Sequence, residues 1–201
     1  MILTEQKRTE QDRTGLTFSK LILFTLLFAL FAAPGWAAEG DVSYIYYEPA
    51  PDGMSATKHT DGVKHNNEYK VINDNDTDVN WEAGWYVVNT DVTIGSRIIV
   101  SGTVNLILCD GATLIAEKGI TVTSDDTTGN TLNIYGQTNG TGQLEATGDK
   151  DAAGIGGNSG DSECYGGTVT IYGGTVTATG GDGAQGIGGG TGDKGLGAPA
   201  R

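Results

Sequence analysis

The sequence repeats the stretch Gly142-Gln-Leu-Glu-Ala-Thr-Gly148, with its continuation Ala153-Gly-Ile-Gly-Gly157, as Gly174-Thr-Val-Thr-Ala-Thr-Gly180 and Gln185-Gly-Ile-Gly-Gly189. The offset between the two copies is constant at 32 residues. Self-similarity at a fixed period of about 20–50 residues is typical of proteins that stack one structural unit on the next. The repeat therefore predicts an architecture of stacked layers.

A second pair of copies lies just upstream. Thr131-Leu-Asn-Ile-Tyr-Gly136 matches Thr168-Val-Thr-Ile-Tyr-Gly173 at an offset of 37 residues, and the five-residue insertion 137–141 explains the longer offset. Fainter copies occupy residues 103–120 and, in part, residues 85–100. Each copy contains three short apolar runs separated by turn residues, which predicts three strands per layer.

Apolar and polar residues alternate within each copy, which is the pattern of a strand with one buried face. One copy alone has too few inward side chains to form a core, but strands stacked about 4.8 Å apart would share one. The sequence thus predicts an all-β fold, a right-handed single-stranded parallel β-helix. Strands of an antiparallel jelly roll or sandwich also alternate between apolar and polar residues, but these folds do not need consecutive, nearly identical copies of one sequence. The residues predicted to point inward are Val104, Leu106, Leu108, Leu114, Ala116, Ile120, Val122, Leu132, Ile134, Leu144, Ala146, Ile155, Val169, Ile171, Val176, Ala178 and Ile187.

The regions outside the repeats are predicted to have separate roles. We expect residues 38–84 to form a small N-terminal cap over the first repeat, residues 85–193 the β-helix, and residues 194–201 an irregular tail. A cap is expected because the strand edges at the end of such a stack would otherwise be exposed. The tail offers no cover for the last repeat, which predicts a truncated piece of a longer protein or end-to-end self-association.

Residues 1–37 have the composition of a secretory signal peptide. Four basic residues precede residues 21–33, which form a nearly unbroken apolar run, and small residues lead to a predicted cleavage site at Ala37. The run is shorter than the roughly 20 residues that span a bilayer, which makes an uncleaved anchor the less favoured alternative. We therefore expect a protein that is secreted, extracellular or in the cell envelope, with no membrane span after cleavage.

The chain that remains after cleavage is acidic and rich in glycine. It contains eight basic and 22 acidic residues, and thus carries a net charge of −14. This charge disfavours binding to nucleic acid, to anionic membrane surfaces and to polyanionic sugars. Glycine makes up 31 of its 164 residues and stands beside short Val, Ile and Thr runs, which is typical of tight turns between strands.

One combination of motifs resembles a known group of proteins. The chain is similar to secreted glycine-rich repeat proteins of anaerobic and gut bacteria in the runs Trp85-Tyr-Val-Val-Asn89, Asp91-Val-Thr-Ile94 and Val104-Asn-Leu-Ile-Leu-Cys-Asp-Gly-Ala-Thr-Leu114. The Ala-Gly-Ile-Gly-Gly and Gly-Gly-Thr-Val-Thr-Ile elements belong to the same pattern, and the resemblance covers about residues 81–193. It implies a pectin-lyase-like β-helix in a surface or secreted protein, a group whose members mostly have no assigned activity. Nothing about surface anchorage follows from it.

Calcium is the one cofactor that the sequence suggests, and the match is incomplete. Residues 74–82 carry oxygen ligands at alternate positions, but Val79 and Trp85 stand where an EF-hand loop needs glycine and glutamate. The run 180–183 begins like the calcium-binding repeat of β-rolls, but Gln185 replaces the required aspartate. We therefore predict no cofactor and no metal site, with calcium as the alternative. The alternating ligands are Asp74, Asp76, Asp78, Asn80 and Glu82.

A catalytic centre has no support in the sequence. Glycoside hydrolysis needs two carboxylates that converge on one bond, but each acidic pair lies on a glycine-rich turn with no predicted partner. Lyases of β-helical fold commonly use an arginine or lysine base with calcium, and Arg97 has no acidic cluster nearby in sequence. The prediction leans towards a protein that is not an enzyme. The acidic pairs considered are Asp125–Asp126, Asp149–Asp151 and Asp161–Glu163.

Tyrosines supply the candidate binding surface. Tyr135 and Tyr172 are equivalent in successive copies and are predicted to point outward, so their rings would stack about 4.8 Å apart. Tyr165 lies near the second ring in sequence. Such rings can stack on the faces of sugars, although aromatic pairing between strands for stability explains them equally well.

These observations predict a non-catalytic secreted or cell-surface β-helix with an adhesion, spacer or glycan-contact role. One alternative is a small polysaccharide-degrading lyase or hydrolase of pectin-lyase-like fold, and another is a structural fragment of a longer surface repeat protein. The two cysteines, Cys109 and Cys164, are not expected to form a bridge. They are separated by two layers, roughly 9–10 Å, which exceeds the Cα distance of about 7 Å that a disulfide allows.

Overall fold

The computed structural model describes residues 40–51, 55–74, 79–124, 129–159 and 166–191. The chain divides into two compact units, Met1–Trp36 and Ala37–Arg201, and every described residue belongs to the second. The predicted signal peptide with its cleavage site at Ala37, and the predicted tail 194–201, lie outside the described residues. No helix within the described ranges is long and apolar enough to cross a membrane.

The described chain is all-β, apart from one 3₁₀ turn at Asn66–Glu68. Its strands are short, as the spacing of the apolar runs predicts. They are β1 (Val42–Pro49), β2 (Ala56–Lys64), β3 (Lys70–Val71), β4 (Asn80–Trp81), β5 (Gly84–Val88), β6 (Val92–Ile94), β7 (Ile98–Val100), β8 (Thr103–Leu108), β9 (Thr113–Ala116), β10 (Ile120–Thr121), β11 (Thr131–Gly136), β12 (Gln143–Thr147), β13 (Ile155–Gly156), β14 (Thr168–Ile171), β15 (Thr175–Thr179) and β16 (Ile187–Gly188).

Three parallel sheets contain every strand from β3 onward. Sheet 1 has the order β14-β11-β8-β5-β3, sheet 2 the order β15-β12-β9-β6, and sheet 3 the order β16-β13-β10-β7-β4. From β5 onward the chain visits sheets 1, 2 and 3 in that order four times, so each set of three strands forms one layer. The predicted all-β, parallel arrangement is confirmed. The four layers are β5–β7, β8–β10, β11–β13 and β14–β16.

The register of the pairs follows the sequence repeat. Residues 131–134 of β11 lie beside residues 168–171 of β14 in parallel, at the offset of 37 residues. In sheet 2, Leu144 lies beside Val176 at the offset of 32 residues, and in sheet 3 Ile155 lies beside Ile187 at the same offset. The insertion 137–141 therefore sits in the turn between β11 and β12, as predicted.

Inward-facing side chains of successive layers form one core. All those predicted to point inward in the second and third layers are buried, among them Leu106, Leu132, Ile134 and Leu144 at 0 % exposure. The fourth layer differs, because among the described residues its equivalent side chains have a neighbouring layer on one side only. Ile171 is 41 % exposed although its partner Ile134 is fully buried.

The predicted N-terminal cap is partly wrong. Two strands within residues 38–84 join the sheets, because β3 pairs with β5 and β4 pairs with β7, both in parallel. The rest of the segment forms an antiparallel hairpin, β1–β2. This hairpin lies against the outer face of sheet 1, where the Nε2 of Gln137 donates to the carbonyl of Ser43 at 3.0 Å. It covers the side of the stack.

The covered face explains a break in the apolar alternation. Val87 and Ile107 share a row with Tyr135 in sheet 1, and both are 0 % exposed although they point away from the core between the sheets. Their row is buried under the hairpin. The unbroken apolar run Leu106-Ile-Leu108 was the sequence signal for this second buried face, because continuous apolar runs indicate strands that are buried on both faces.

Glycine at the corner of sheet 3 is required by the close approach of two layers. Gly156 has a φ of 132°, and the carbonyl oxygen of Gly188 occupies the place that its Cβ would take. A side chain at residue 156 would thus be strained and would also collide with backbone. This contact explains why the Gly-Ile-Gly-Gly corner recurs in both copies.

The different burial of equivalent residues gives a matched pair of variants. Ile134→Ala removes a fully buried side chain and leaves a cavity, so we expect it to lower the free energy of unfolding by about 2–5 kcal/mol. Ile171→Ala, at the equivalent half-exposed position, is expected to lower it by about 1 kcal/mol or less. Urea unfolding followed by circular dichroism measures both, and equal losses would contradict the layer assignment.

Candidate functional site

Aromatic rings stack along the outer face of sheet 1. The rings of Tyr135 and Tyr172 are nearly parallel, at 9°, with centroids 4.8 Å apart, which confirms the predicted ladder. Trp85 extends it downward, because its ring stacks on Tyr135 at 5.2 Å. The ladder therefore consists of Trp85, Tyr135 and Tyr172, and only the first of these was not predicted from the repeat.

The prediction that Tyr135 is an exposed ring is wrong. Tyr135 is only 8 % exposed, because the ring of Tyr44 from β1 packs edge-on against it at 5.1 Å. The same Tyr44 ring lies 4.9 Å from Trp85. Burial raises the pKa of Tyr135 to about 12, and its hydroxyl donates to the Oδ1 of Asn105 at 3.3 Å. Tyr135 is therefore part of the packing between the hairpin and the sheet.

Tyr172 ends the ladder and is only partly buried. Its ring packs on Tyr135 on one face, and no other ring contact involves it within the described part of the chain. The third predicted contact residue, Tyr165, lies outside the described residues. Of the three tyrosines proposed for glycan contact, Tyr172 is thus the one that the structure places at an accessible position.

Further contacts hold the hairpin against the sheet and join its two ends. The ammonium of Lys64 lies 4.6 Å above the ring of Trp85, an attractive arrangement of a cation and a ring. At the edge of the hairpin, the Nδ1 of His65 lies 2.7 Å from the Oδ1 of Asp41. This hydrogen bond raises the pKa of His65. These contacts were not predicted from the sequence, because they join segments far apart in the chain.

The hairpin also carries a small cluster at its outer edge. The rings of Tyr46 and His59 stack at 4.6 Å and 9°, and Tyr46 lies 6.0 Å from Tyr44. The Nε2 of His59 lies 3.5 Å from the Oε2 of Glu48. A continuous series of rings thus runs from His59 through Tyr46 and Tyr44 to the ladder. This series, with the three ladder rings, is called the aromatic cluster below.

Of the three aspartates considered for calcium in residues 74–82, the structure describes Asp74, which bonds to a backbone amide, as do two aspartates outside that hypothesis. Asp74 accepts a hydrogen bond from the backbone amide of Thr93 at 2.7 Å, and Asp91 accepts one from the amide of Thr113 at 2.9 Å. Asp110 accepts two such bonds at the insertion 137–141. Each carboxylate thereby joins one layer to the next at the corner between sheets 1 and 2. Asp76 and Asp78 lie outside the described residues.

The described residues contain no group of three or more His, Cys, Asp or Glu side chains arranged for a metal ion. Asn80 and Glu82, the remaining residues of the calcium hypothesis, flank Trp81 at β4. Asp182, in the glycine run 180–183, lies in an exposed turn.

Arg97, the one internal arginine considered as a base, binds backbone. Its guanidinium donates to the Oγ1 of Thr121 at 2.7 Å, and to the carbonyls of Lys118 at 2.6 Å and Ala153 at 3.0 Å. A further bond reaches the carbonyl of Gly157 at 3.2 Å. Burial lowers the pKa of Arg97, and the charge of Asp149 opposes that shift. The side chain therefore links the corners of three layers of sheet 3.

The acidic pairs show no convergence among the described residues. Asp149 lies 3.7 Å from the ammonium of Lys118, and its Oδ1 accepts from the amide of Lys150 at 2.8 Å. Asp151 has a positive φ of 65°, and its carbonyl accepts from the amide of Thr191 at 2.9 Å. The pairs Asp125–Asp126 and Asp161–Glu163 lie outside the described residues.

Cys109 is buried and has no disulfide partner among the described residues. Burial, with a smaller contribution from the charge of Asp110, raises its pKa to about 11. The reactive form of cysteine is the thiolate, so a thiol with this pKa is inert near neutral pH. Cys164 lies outside the described residues, and the absence of a bridge between the two cysteines stays a prediction.

Comparisons with models of protein families, with curated proteins and with solved structures find no significant match. The aromatic cluster and the chemistry of the sequence are therefore the observations that bear on function.

The raised pKa of Tyr135 predicts a loss of stability at high pH. In the unfolded chain this phenol ionises near its ordinary pKa of 10.0, whereas in the folded protein it ionises near 12. The stabilisation is thus fully present below pH 10 and is lost as the pH rises towards 12. Tyr135→Phe should make unfolding by urea less dependent on pH in that range and remove the highest-pH step from a phenolate absorbance titration. An unchanged titration would contradict the burial of this ring.

Proposed function

We propose that the three sheets are the sides of a right-handed parallel β-helix. The cyclic visiting order of the sheets supports this, because a chain that returns repeatedly to the next parallel position in each sheet must coil. Parallel crossover connections are right-handed in about 98 % of cases. The β1–β2 hairpin then lies on one side of the coil, and the turns form its corners.

The function that the geometry supports best is non-catalytic contact with a neutral glycan by a secreted or cell-surface protein. The observation that carries this proposal is the position of Tyr172 at the accessible end of a preformed ring ladder. The ring beneath fixes its orientation, so little conformational freedom remains to be lost when a sugar stacks on it. Aromatic platforms of this kind favour the apolar faces of sugars.

The net charge of the chain restricts the class of glycan that it is expected to bind. After loss of the predicted signal peptide, the chain carries a net charge of −14, which disfavours uronate-rich or sulfated polymers. The charged groups near the outer part of the aromatic cluster include Glu48 and Asp61, which lie 3.5 Å and 3.9 Å from the ring nitrogens of His59. A neutral polysaccharide or glycoprotein glycan is therefore the preferred class of ligand.

The secreted location of this function comes from the sequence. A basic segment, a short apolar run and small residues before Ala37 support export, and the resemblance to glycine-rich surface proteins of gut bacteria supports an extracellular role. The engagement of Arg97 with backbone carbonyls weighs against the lyase alternative, because its donors are already used in holding the corners.

A comparison of two tyrosine variants tests the glycan proposal. We expect Tyr172→Ala to reduce binding to a responsive neutral glycan at least tenfold with little change in the thermal transition, because the ring lies at the accessible end of the ladder. Tyr135→Ala, the control, should lower the thermal transition because this ring is buried under the hairpin.

A glycan array with residues 38–201 identifies the ligand, and a reducing-sugar assay on the same glycans tests for cleavage. Release of sugar would favour the polysaccharide-degrading alternative. Binding that survives Tyr172→Ala would contradict the proposed contact, and silence in both assays would favour a purely structural role.

A further inference from the structure

The position of the β1–β2 hairpin determines how much of the outer face of sheet 1 is accessible. Val87 and Ile107, in the row beneath the hairpin, are 0 % exposed, and Tyr135 is 8 % exposed. The ring of Tyr44 reaches this row, with its centroid 4.9 Å from that of Trp85 and 5.1 Å from that of Tyr135. Displacement of the hairpin would therefore uncover an aromatic and apolar surface.

The hairpin residues that contact these rings lie near its open end. The first strand pair is Val42 with Lys64, and Tyr44 pairs with Gly62. A Cβ at residue 62 would lie 2.7 Å from the ring of Tyr44, so this ring crosses over the second strand. The ammonium of Lys64 lies 4.6 Å above the ring of Trp85. Fraying at the open end would thus loosen both contacts with the sheet.

Two side-chain contacts join the strands just outside this first pair. The Nδ1 of His65 lies 2.7 Å from the Oδ1 of Asp41, and the hydroxyl of Tyr69 donates to the carbonyl of Gly40 at 2.6 Å. The backbone amide of His65 donates to the Oε2 of Glu68 at 2.8 Å, which keeps a second carboxylate close to the histidine. Together these contacts hold the open end of the hairpin closed.

His65 is the member of this closure that titrates near neutral pH. The charged groups that act on its ring among the described residues are the carboxylates of Asp41 and Glu68 and the ammonium of Lys64. The hydrogen bond to Asp41, with the charge of that carboxylate, raises the pKa of His65, while partial desolvation and Lys64 oppose the rise. The bond is stronger when the ring is protonated, because the attraction between opposite charges is added to it.

The stabilisation that His65 provides depends on pH. It is fully present below pH 6.5, the ordinary pKa of this side chain, and is lost as the pH rises through the higher pKa of the folded protein. The side chains of His65 and Asp41 are 65 % and 59 % exposed, so water screens their charges and the effect is modest. We therefore expect a severalfold change in how often the open end frays.

We propose that the contact between His65 and Asp41 is a proton-dependent latch, which holds the hairpin over the aromatic rings of sheet 1 at mildly acidic pH and loosens as the pH rises. The position of the latch carries this inference. It lies one residue beyond the first strand pair, whose Lys64 contacts Trp85. The inference does not depend on the proposed glycan contact.

Hydrogen exchange of residues 38–201 at about pH 6 and about pH 8.5, on either side of the titration of histidine, tests the latch. Division of the observed rates by the intrinsic rates at each pH gives the protection of each amide. We expect the protection of residues 42–46 and 59–64 to be severalfold lower at the higher pH. The protection of residues 131–136, in the core of sheet 1, should stay the same.

Two substitutions separate the latch from other titrating groups. His65→Gln introduces a neutral side chain that does not titrate, so the hairpin should show the lower protection at both pH values. The chain has one other histidine, and His59→Gln is the matched control, because the ring of His59 contacts Tyr46 and Glu48 rather than Asp41. This variant should keep the difference between the two pH values.

Nuclear magnetic resonance of the histidine ring protons supplies a second measurement. Asp41→Asn should lower the pKa of His65, because it removes the carboxylate that bonds to the ring, and an unchanged pKa would overturn the proposal. Equal hairpin protection at both pH values in the unaltered chain would also overturn it. So would a pH difference that survives His65→Gln, or one that His59→Gln abolishes.

Discussion

Backbone pairing between successive parallel layers is the interaction on which the rest of the structure depends. Every strand of the second and third layers has a parallel neighbour on each side, which satisfies its amides and carbonyls. This pairing brings Leu106, Leu132 and their equivalents into one core that no single layer could form. It also requires corners narrow enough for the layers to approach, which the Gly156 and Gly188 contact provides.

At the corners, polar side chains form hydrogen bonds that connect successive layers. Asp74, Asp91 and Asp110 each accept backbone amides from the following layer or turn, and Arg97 donates to carbonyls of later layers. Asp74 and Arg97, which look like a calcium ligand and a catalytic base when the sequence is read alone, are thus engaged in the architecture. Because these donors and acceptors are used internally, the aromatic cluster on sheet 1 is the better candidate for contact with other molecules.

The sequence predicted the layers well because the pairing partners share a pattern. The offsets of 37 and 32 residues gave the register of Thr131 with Thr168 and of Leu144 with Val176, and period-two alternation gave the buried side chains. The hairpin was not predicted, because β1 and β2 share no pattern with the repeat and contact it across the chain. Tyr135 was consequently assigned to the surface, although the apolar Ile107 in its own row indicated a covered face.

The central claim is that the repeats stack in parallel at the offsets of the sequence. Nuclear Overhauser contacts between backbone protons of labelled residues 38–201 measure it most directly. The account predicts cross-strand contacts of the parallel pattern between Asn133 and Thr170, and between Glu145 and Thr177. Contacts of the antiparallel pattern, or contacts shifted from these pairs along the strands, would contradict it.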